Sequence, residues 1–157
     1  ELFTKFGGHP MAAGLSLPTE NIDLFRAKLN RQQTLTEKEL TPVTWIDVPM
    51  PVSYASKKLV EQLRVLEPFG KGNEKPVFAD RKLTVRSANM IGKNKNVLKM
   101  QLEDTQGHVV DAIQFKVEEE DMPLRGKEIS IVYYPDINEF RGNQTLQFIV
   151  QEWCYTT

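Results

Sequence analysis

A small five-stranded β-barrel preceded by helical segments is the fold this sequence predicts. Three observations carry it. From Val77 onward, strand-like runs recur at about 77–90, 96–103, 108–115, 127–134 and 144–153. The third and fourth runs are separated by a longer connection, 116–126, which holds Glu118 to Asp121, Pro123 and Gly126. Before Val77 the apolar spacing is helical, and it stops at a junction rich in Gly and Pro. Five strands with a longer third connection suit an OB-fold, a partly open five-stranded Greek-key barrel. The class is then mainly β, α+β overall. An SH3-like barrel or a small sandwich is the competing all-β arrangement.

Each run has its own pattern. Leu83 and Val85 alternate with Thr84 and Arg86, and Leu98, Met100 and Leu102 alternate with Lys99 and Gln101. Thr105-Gln106-Gly107 suits a hairpin turn. Phe78, Phe115, Phe148 and Trp153 fall inside strand runs, where burial is expected. Tyr133 and Tyr134 are adjacent and point to opposite faces, which leaves one free to be exposed.

The chain has 157 residues, room for one domain or one domain plus part of another. Its hydrophobic fraction of 40% and charged fraction of 26% are those of a globular protein able to bury a core. No apolar run approaches the roughly 18 residues of a membrane-span candidate, and no signal-peptide pattern opens the chain. Neither a membrane nor export is expected. The single Cys154 cannot close an internal disulfide, which fits a reducing compartment. Two His and one Cys give no zinc constellation. The net charge of −1 hides an uneven distribution. Residues 1–56 are near balance, 57–99 carry eleven Lys/Arg against four Asp/Glu, and 100–157 carry four against eleven. The basic middle can mark a face for a polyanion; a polar surface with unlike halves is the plainer explanation.

Residues 1–33 form the first block. The chain opens at Glu1 without an initiator Met, and Leu2 to Phe6 resembles the middle of an element, so a fragment of a longer protein is expected. Gly7 and Gly8 can bring backbone amides close to a ligand, and His9 can donate to a phosphate or carboxylate. A tight turn into a buried strand with a structural His is the alternative. A helix is predicted over 19–33, with Thr19 or Asn21 as cap and Ile22, Leu24, Phe25 and Leu29 on its apolar face.

Residues 34–76 form a connecting block. The polar stretch 34–42 ends at Pro42 and suits a linker; 43–52, with Pro49 and Pro51, suits an edge strand or extended connector. A helix over 55–66 is capped by Ser53 and buries Leu59, Val60, Leu63 and Leu66. It stops where Pro68 removes an N–H and biases Glu67 away from the helical region. In the junction that follows, Gly70, Gly72 and Asn73 tolerate unusual backbone angles, and Pro76 closes the turn. A rigid domain junction explains this stretch. In addition, Lys71 and Lys75 bring positive charge to it that a phosphate backbone would attract.

OB-folds bind oligonucleotides on the faces of strands two and three and with the loops joining strands one to two and four to five. Those loops are predicted at 91–96 and 135–143. The first carries Lys93 and Lys95, with Lys99 following on the second strand and Arg86 on the first. The second presents Phe140 beside Arg141, a pairing that suits base stacking plus phosphate contact. A positive groove follows, against the alternative of two solvated hairpin loops with one aromatic folded back on the barrel. No catalytic set is visible: His9 and His108 have no nucleophile motif near them, and Glu118 to Asp121 are consecutive and solvated.

Gly7-Gly8-His9-Pro10-Met11-Ala12-Ala13-Gly14 resembles the Gly-Gly-His motif that closes the DHH-associated domain of DHH-family phosphoesterases. Followed by Leu66-Glu67-Pro68-Phe69-Gly70-Lys71-Gly72-Asn73, with Pro76 and Phe78, it resembles the RecJ family of bacterial single-strand-specific exonucleases. The resemblance covers nearly the whole chain. It implies that 1–33 end a DHH-associated α/β domain, that 34–76 are linker, connector helix and junction, and that 77–157 are an OB domain. It implies a bacterial cytoplasmic protein of DNA repair and recombination that degrades single-stranded DNA from the 5′ end. The Mn²⁺ or Mg²⁺ ions belong to Asp and His residues of a catalytic domain that is not in this sequence. No Asp-His-His occurs here, so no nuclease activity, catalytic residue, metal or cofactor is expected in this stretch. Gly7, Gly8 and His9 would contact nucleotide or phosphate, and the barrel would hold the single strand through Lys71, Lys75, Arg86, Lys93, Lys95, Lys99, Phe140 and Arg141. A helicase or a single-stranded-DNA-binding protein is a further candidate partner. Two alternatives stay open: a protein-docking OB module, or part of another DHH-family phosphodiesterase.

Overall fold

A computed structural model describes residues 2–156, which fall into two compact units divided between Val43 and Thr44. The first unit holds strands β1 (Lys5–His9) and β2 (Ala12–Ser16), paired as an antiparallel hairpin, then helices α1 (Ile22–Gln32) and α2 (Glu37–Leu40). Gly8 lies opposite Ala13, and a Cβ on Gly8 would come 2.6 Å from the Ala12 carbonyl oxygen. Only glycine fits that approach. A 3-10 turn, Thr19–Asn21, precedes α1. Asn21 is therefore already in a helical backbone conformation, and neither expected cap forms a side-chain bond. The polar stretch read as linker instead contains α2, because Thr36 and Glu39 form a reciprocal capping box. No described residue of this unit is buried, as expected of so short a chain.

The second unit is built on five long strands: β4 (Phe78–Ile91), β5 (Val97–Glu103), β6 (Val109–Phe115), β7 (Glu128–Phe140) and β8 (Asn143–Tyr155). The short β3 (Val48–Pro49) runs parallel to the start of β4. The order is β3-β4-β5-β6-β8-β7, and β7 pairs again with β4, which closes the barrel. Among the pairings of the five long strands only β6–β8 is parallel. This is the predicted OB-fold. β4 serves two partners, pairing with β7 from Phe78 to Thr84 and with β5 from Thr84 to Ile91. Bulges between Asp80 and Leu83 and between Val85 and Ser87 let it bend from one to the other.

Leu83, Val85, Leu98, Met100, Ile129 and Phe148 fill the barrel. The connector from Thr44 packs with it: Val52 joins the core cluster, and helix α3 (Lys57–Leu63) lies against β7. Pro51 opens a 3-10 turn, Val52–Tyr54, that absorbs Ser53. The cap of α3 is Ser56, whose hydroxyl accepts from the Leu59 N–H, rather than Ser53. Leu66, expected on the buried stripe, is exposed, because the chain tightens to 3-10 geometry at Arg64–Leu66. The Tyr133 hydroxyl donates to the Met50 carbonyl at 2.8 Å, and the Val52 N–H donates to Asp80 Oδ2 at 2.8 Å. Burial, then the Asp80 carboxylate, push the Tyr133 phenol well above its usual range, so it remains a donor. Tyr133→Phe leaves the Met50 carbonyl unpaired and should cost about 1–3 kcal/mol, read as a lower urea midpoint at unchanged slope.

Two turns differ in their legibility. The β5–β6 turn is where Thr105-Gln106-Gly107 predicts it. Asp104 Oδ1 accepts from the Gln106 and His108 N–H groups, and Asp104 Oδ2 lies 2.9 Å from His108 Nδ1. Burial acts to raise the Asp104 pKa, and the hydrogen bonds from His108 and Gln106 outweigh it, holding the carboxyl below its usual range. A lowered pKa gives stability that is complete above the unfolded value, about 3.9, and is lost as pH falls through the folded one. Asp104→Asn should therefore melt below the parent protein at neutral pH, with the gap narrowing on acidification below about pH 4. The predicted loop 135–143 is not a loop. β7 and β8 continue to a two-residue turn, Arg141–Gly142, with φ of 50° and 77°. Positive φ at both positions is what a type I′ hairpin turn requires. Pro135 is tolerated because β4 pairing ends at Tyr133, which leaves that edge of β7 open.

Candidate nucleic-acid interface

Alternation along β5 turns Leu98, Met100 and Leu102 inward and leaves Lys99 and Gln101 outward. Cross-strand partners share a face. The register therefore extends the Lys99 row to Asn89 on one side and to Ile113, Ile149 and Tyr134 on the other. At the far end Tyr134 is capped by the junction: Phe69 meets its ring edge-on, and Lys75 Nζ sits 4.0 Å from its centroid. Three strand spacings separate Tyr134 from Lys99, about 14 Å. Burial first, then the carboxylates of Asp136 and Glu67, raise the Tyr134 pKa.

Both tyrosines are thus buried, contrary to the expectation that one is free. Tyr133 faces the core and Tyr134, at 4% exposure, lies under the junction. The junction has its own rigidity. Gly70 and Asn73 exchange two backbone hydrogen bonds, and Asn73 Nδ2 donates to the Leu66 and Pro68 carbonyls. Lys71 is exposed on this loop.

The next row along the strands is Ile91, Val97 and Phe115. Phe115, expected in the core, is 54% exposed, because the β6 residue facing inward is its neighbour Gln114. Lys93 and Lys95 occupy the turn above this row, closed by the Lys95 N–H donating to the Gly92 carbonyl. The Val117 N–H donates to the Asn96 carbonyl, which ties Lys116 to the same turn. Every non-glycine residue with positive φ among the described residues is basic: Lys82, Lys95, Lys116 and Arg141. A left-handed backbone costs such residues roughly 1–2 kcal/mol each. Lys116, missed by sequence reasoning, lines a cavity with Glu120, Asp121 and Trp153 rather than the Lys99 row.

The remaining predicted residues lie apart. Arg86 donates to Glu103 Oε2 at 2.8 Å, so its charge is balanced. Phe140 and Arg141 sit at the exposed β7–β8 tip, with the guanidinium carbon 5.1 Å from the ring centroid. The tip begins six residues before Ile149, the β8 residue in the Lys99 row. The opposite end of the β5–β6 face carries Glu103, Asp104 and Asp111. The face therefore grades from basic to acidic along the strands. In the first unit, His9 Nδ1 accepts from the Met11 N–H at 3.2 Å within the hairpin, and Gly7 has open space about it.

Among the described residues no group of three or more His, Cys, Asp or Glu side chains could hold a metal ion. No helix among them is long and apolar enough to cross a membrane.

The closed barrel, its β5–β6 face and the flanking turns define an OB-fold domain. A family model described as the RecJ OB domain matches residues 46–152, and the chain belongs to that family. The single-stranded-DNA-specific exonuclease RecJ of Haemophilus influenzae is 37% identical over 153 residues, 95% of this chain and 26% of that protein. Its Bacillus subtilis namesake is 31% identical over 97% of this chain and 20% of its own length. The chain thus spans about a quarter or less of these relatives. The crystal structure of RecJ in complex with Mn²⁺ from Thermus thermophilus shares the fold, with a TM-score of 0.69 at 19% identity over 99% of this chain and 22% of that one. The Mg²⁺ complex from the same organism gives 0.66.

Proposed function

We propose that this chain is the strand-holding portion of a RecJ-type 5′-to-3′ single-stranded-DNA exonuclease of DNA repair and recombination. The observation that supports it most is the row Ile91, Val97 and Phe115, with Lys99 one step along the strands and Lys93 and Lys95 in the turn above it. Positive charge alternating with apolar surface is what an unpaired strand requires, since phosphates meet lysines and bases meet apolar groups. Residues 1–33 close the DHH-associated domain, where Gly7, Gly8 and His9 contact nucleotide or phosphate. Mn²⁺ or Mg²⁺ is held by the catalytic domain outside this stretch, and the isolated chain does not cleave DNA.

Fluorescence anisotropy of a labelled single-stranded oligonucleotide at two salt concentrations tests this. Tight, salt-sensitive binding to the single strand, weaker binding to duplex, and loss in Lys93→Glu/Arg141→Glu are expected. Absence of binding at low salt would sink the assignment for the isolated chain. A second reading rests on a cavity of about 530 Å³ walled by Trp153, Tyr155 and Met122, where Glu120, Asp121 and Glu152 outnumber Lys116. Such a surface suits basic side chains of a protein partner, such as a helicase or a single-stranded-DNA-binding protein.

A further inference from the structure

We infer that Phe115 is a base-stacking site, with Ile91 and Val97 extending its apolar platform. The inference rests on the strand-holding function proposed above and deepens it, because it assigns the ligand's bases, and not only its phosphates, to a named side chain. Ile91, Val97 and Phe115 form one cross-strand row over β4, β5 and β6, and Ile91 and Phe115 are 39% and 54% exposed. An exposed phenylalanine at the end of β6 gains nothing for folding from the surface it leaves in water. Its surroundings identify what covers it. Lys99 is its diagonal neighbour across β5, a relation that puts residues about 7–8 Å apart. Lys93 and Lys95 stand in the turn that the Val117–Asn96 hydrogen bond ties to the end of β6.

Three lysines flanking three apolar residues suit a flat apolar ligand that carries negative charge at its rim, which describes a nucleobase with its flanking phosphates. A stable protein partner would bury about 800 Å² of surface on each side, far more than three residues supply. The carboxylates that such a basic rim could otherwise recruit from this face, Asp111 and Glu103, lie two and three register steps further along the strands. The platform also supplies selectivity. A base paired within a duplex keeps its faces against its neighbours and cannot lie on a side chain rising from a sheet.

Binding of an oligothymidylate of about 16 nucleotides, the upper site size of one OB fold, is compared with binding of an abasic oligomer of equal phosphate number. Phe115→Ala should weaken the first roughly 5- to 150-fold, the range that one stacked base gives on alanine substitution. It should leave the second unchanged, and Phe115→Trp should restore binding. Equal losses on both oligomers, or no loss on either, overturn the stacking role while leaving the strand-holding function in place. If the unmodified chain binds neither oligomer at low salt, the strand-holding function fails and the platform with it. Unchanged thermal melting of Phe115→Ala separates lost binding from lost folding.

Discussion

Phe148→Ala should lower the unfolding free energy of the barrel by about 3–5 kcal/mol, the range for removing a buried aromatic ring. Phe148 is 1% exposed and packs 5.1 Å, centroid to centroid, from Tyr133. Its strand partner is Ala112 on β6, in the parallel pairing of β6 with β8. The neighbours cannot follow the lost ring inward. Tyr133 is held by its hydrogen bond to Met50, and Ala112 has no side chain long enough to fill the space. Urea denaturation monitored by circular dichroism measures the loss. A change below about 1 kcal/mol would show that the barrel closes around the gap and is less rigidly packed than described.

Lys93→Glu combined with Lys99→Glu should reduce affinity for a single strand on the order of tenfold or more at low salt. The slope of log affinity against log salt should flatten by about 0.7 for each phosphate contact removed. Arg86→Ala should change both quantities little, because Glu103 already neutralises that guanidinium. The contrast matters more than either number. Net charge alone treats all three positions alike, whereas the ion pair and the strand register separate them. Equal effects at Arg86 and Lys99 would mean that a diffuse positive field, rather than the Lys99 row, attracts the strand.

Much of the fold is legible in the residues. Alternation places the five strands to within a few positions, except where β7 and β8 continue through the assigned loop. The loop assignment fails because Pro135 argues against a central strand, and only the pairing shows that β7 has become an edge there. The candidate lysines are correctly placed on turns and outward strand positions, since charge seldom enters a core. Phe115 shows the limit. On β6 one parity holds Val109, Asp111, Ile113 and Phe115, and the other holds Val110, Ala112 and Gln114. Period two says which residues travel together and is silent on which set faces inward. The set ending in Phe115 turns outward, although Ile113 within it is covered, because small Ala112 is what fits between Met100 and Phe148.

By itself, then, the sequence determined the barrel class, the glycine-rich junction that ends the connector helix, and the concentration of basic residues in the middle third. These follow from local backbone preferences and from the water affinity of charge, which need no knowledge of distant partners. Tertiary structure alone decided that the connector belongs to the barrel, that Tyr134 lies beneath Phe69 and Lys75, that Glu103 balances Arg86, and that Phe115 faces outward. Each of these depends on register between strands far apart in the chain. A shift of one residue would exchange the faces of a strand while its local pattern stayed the same.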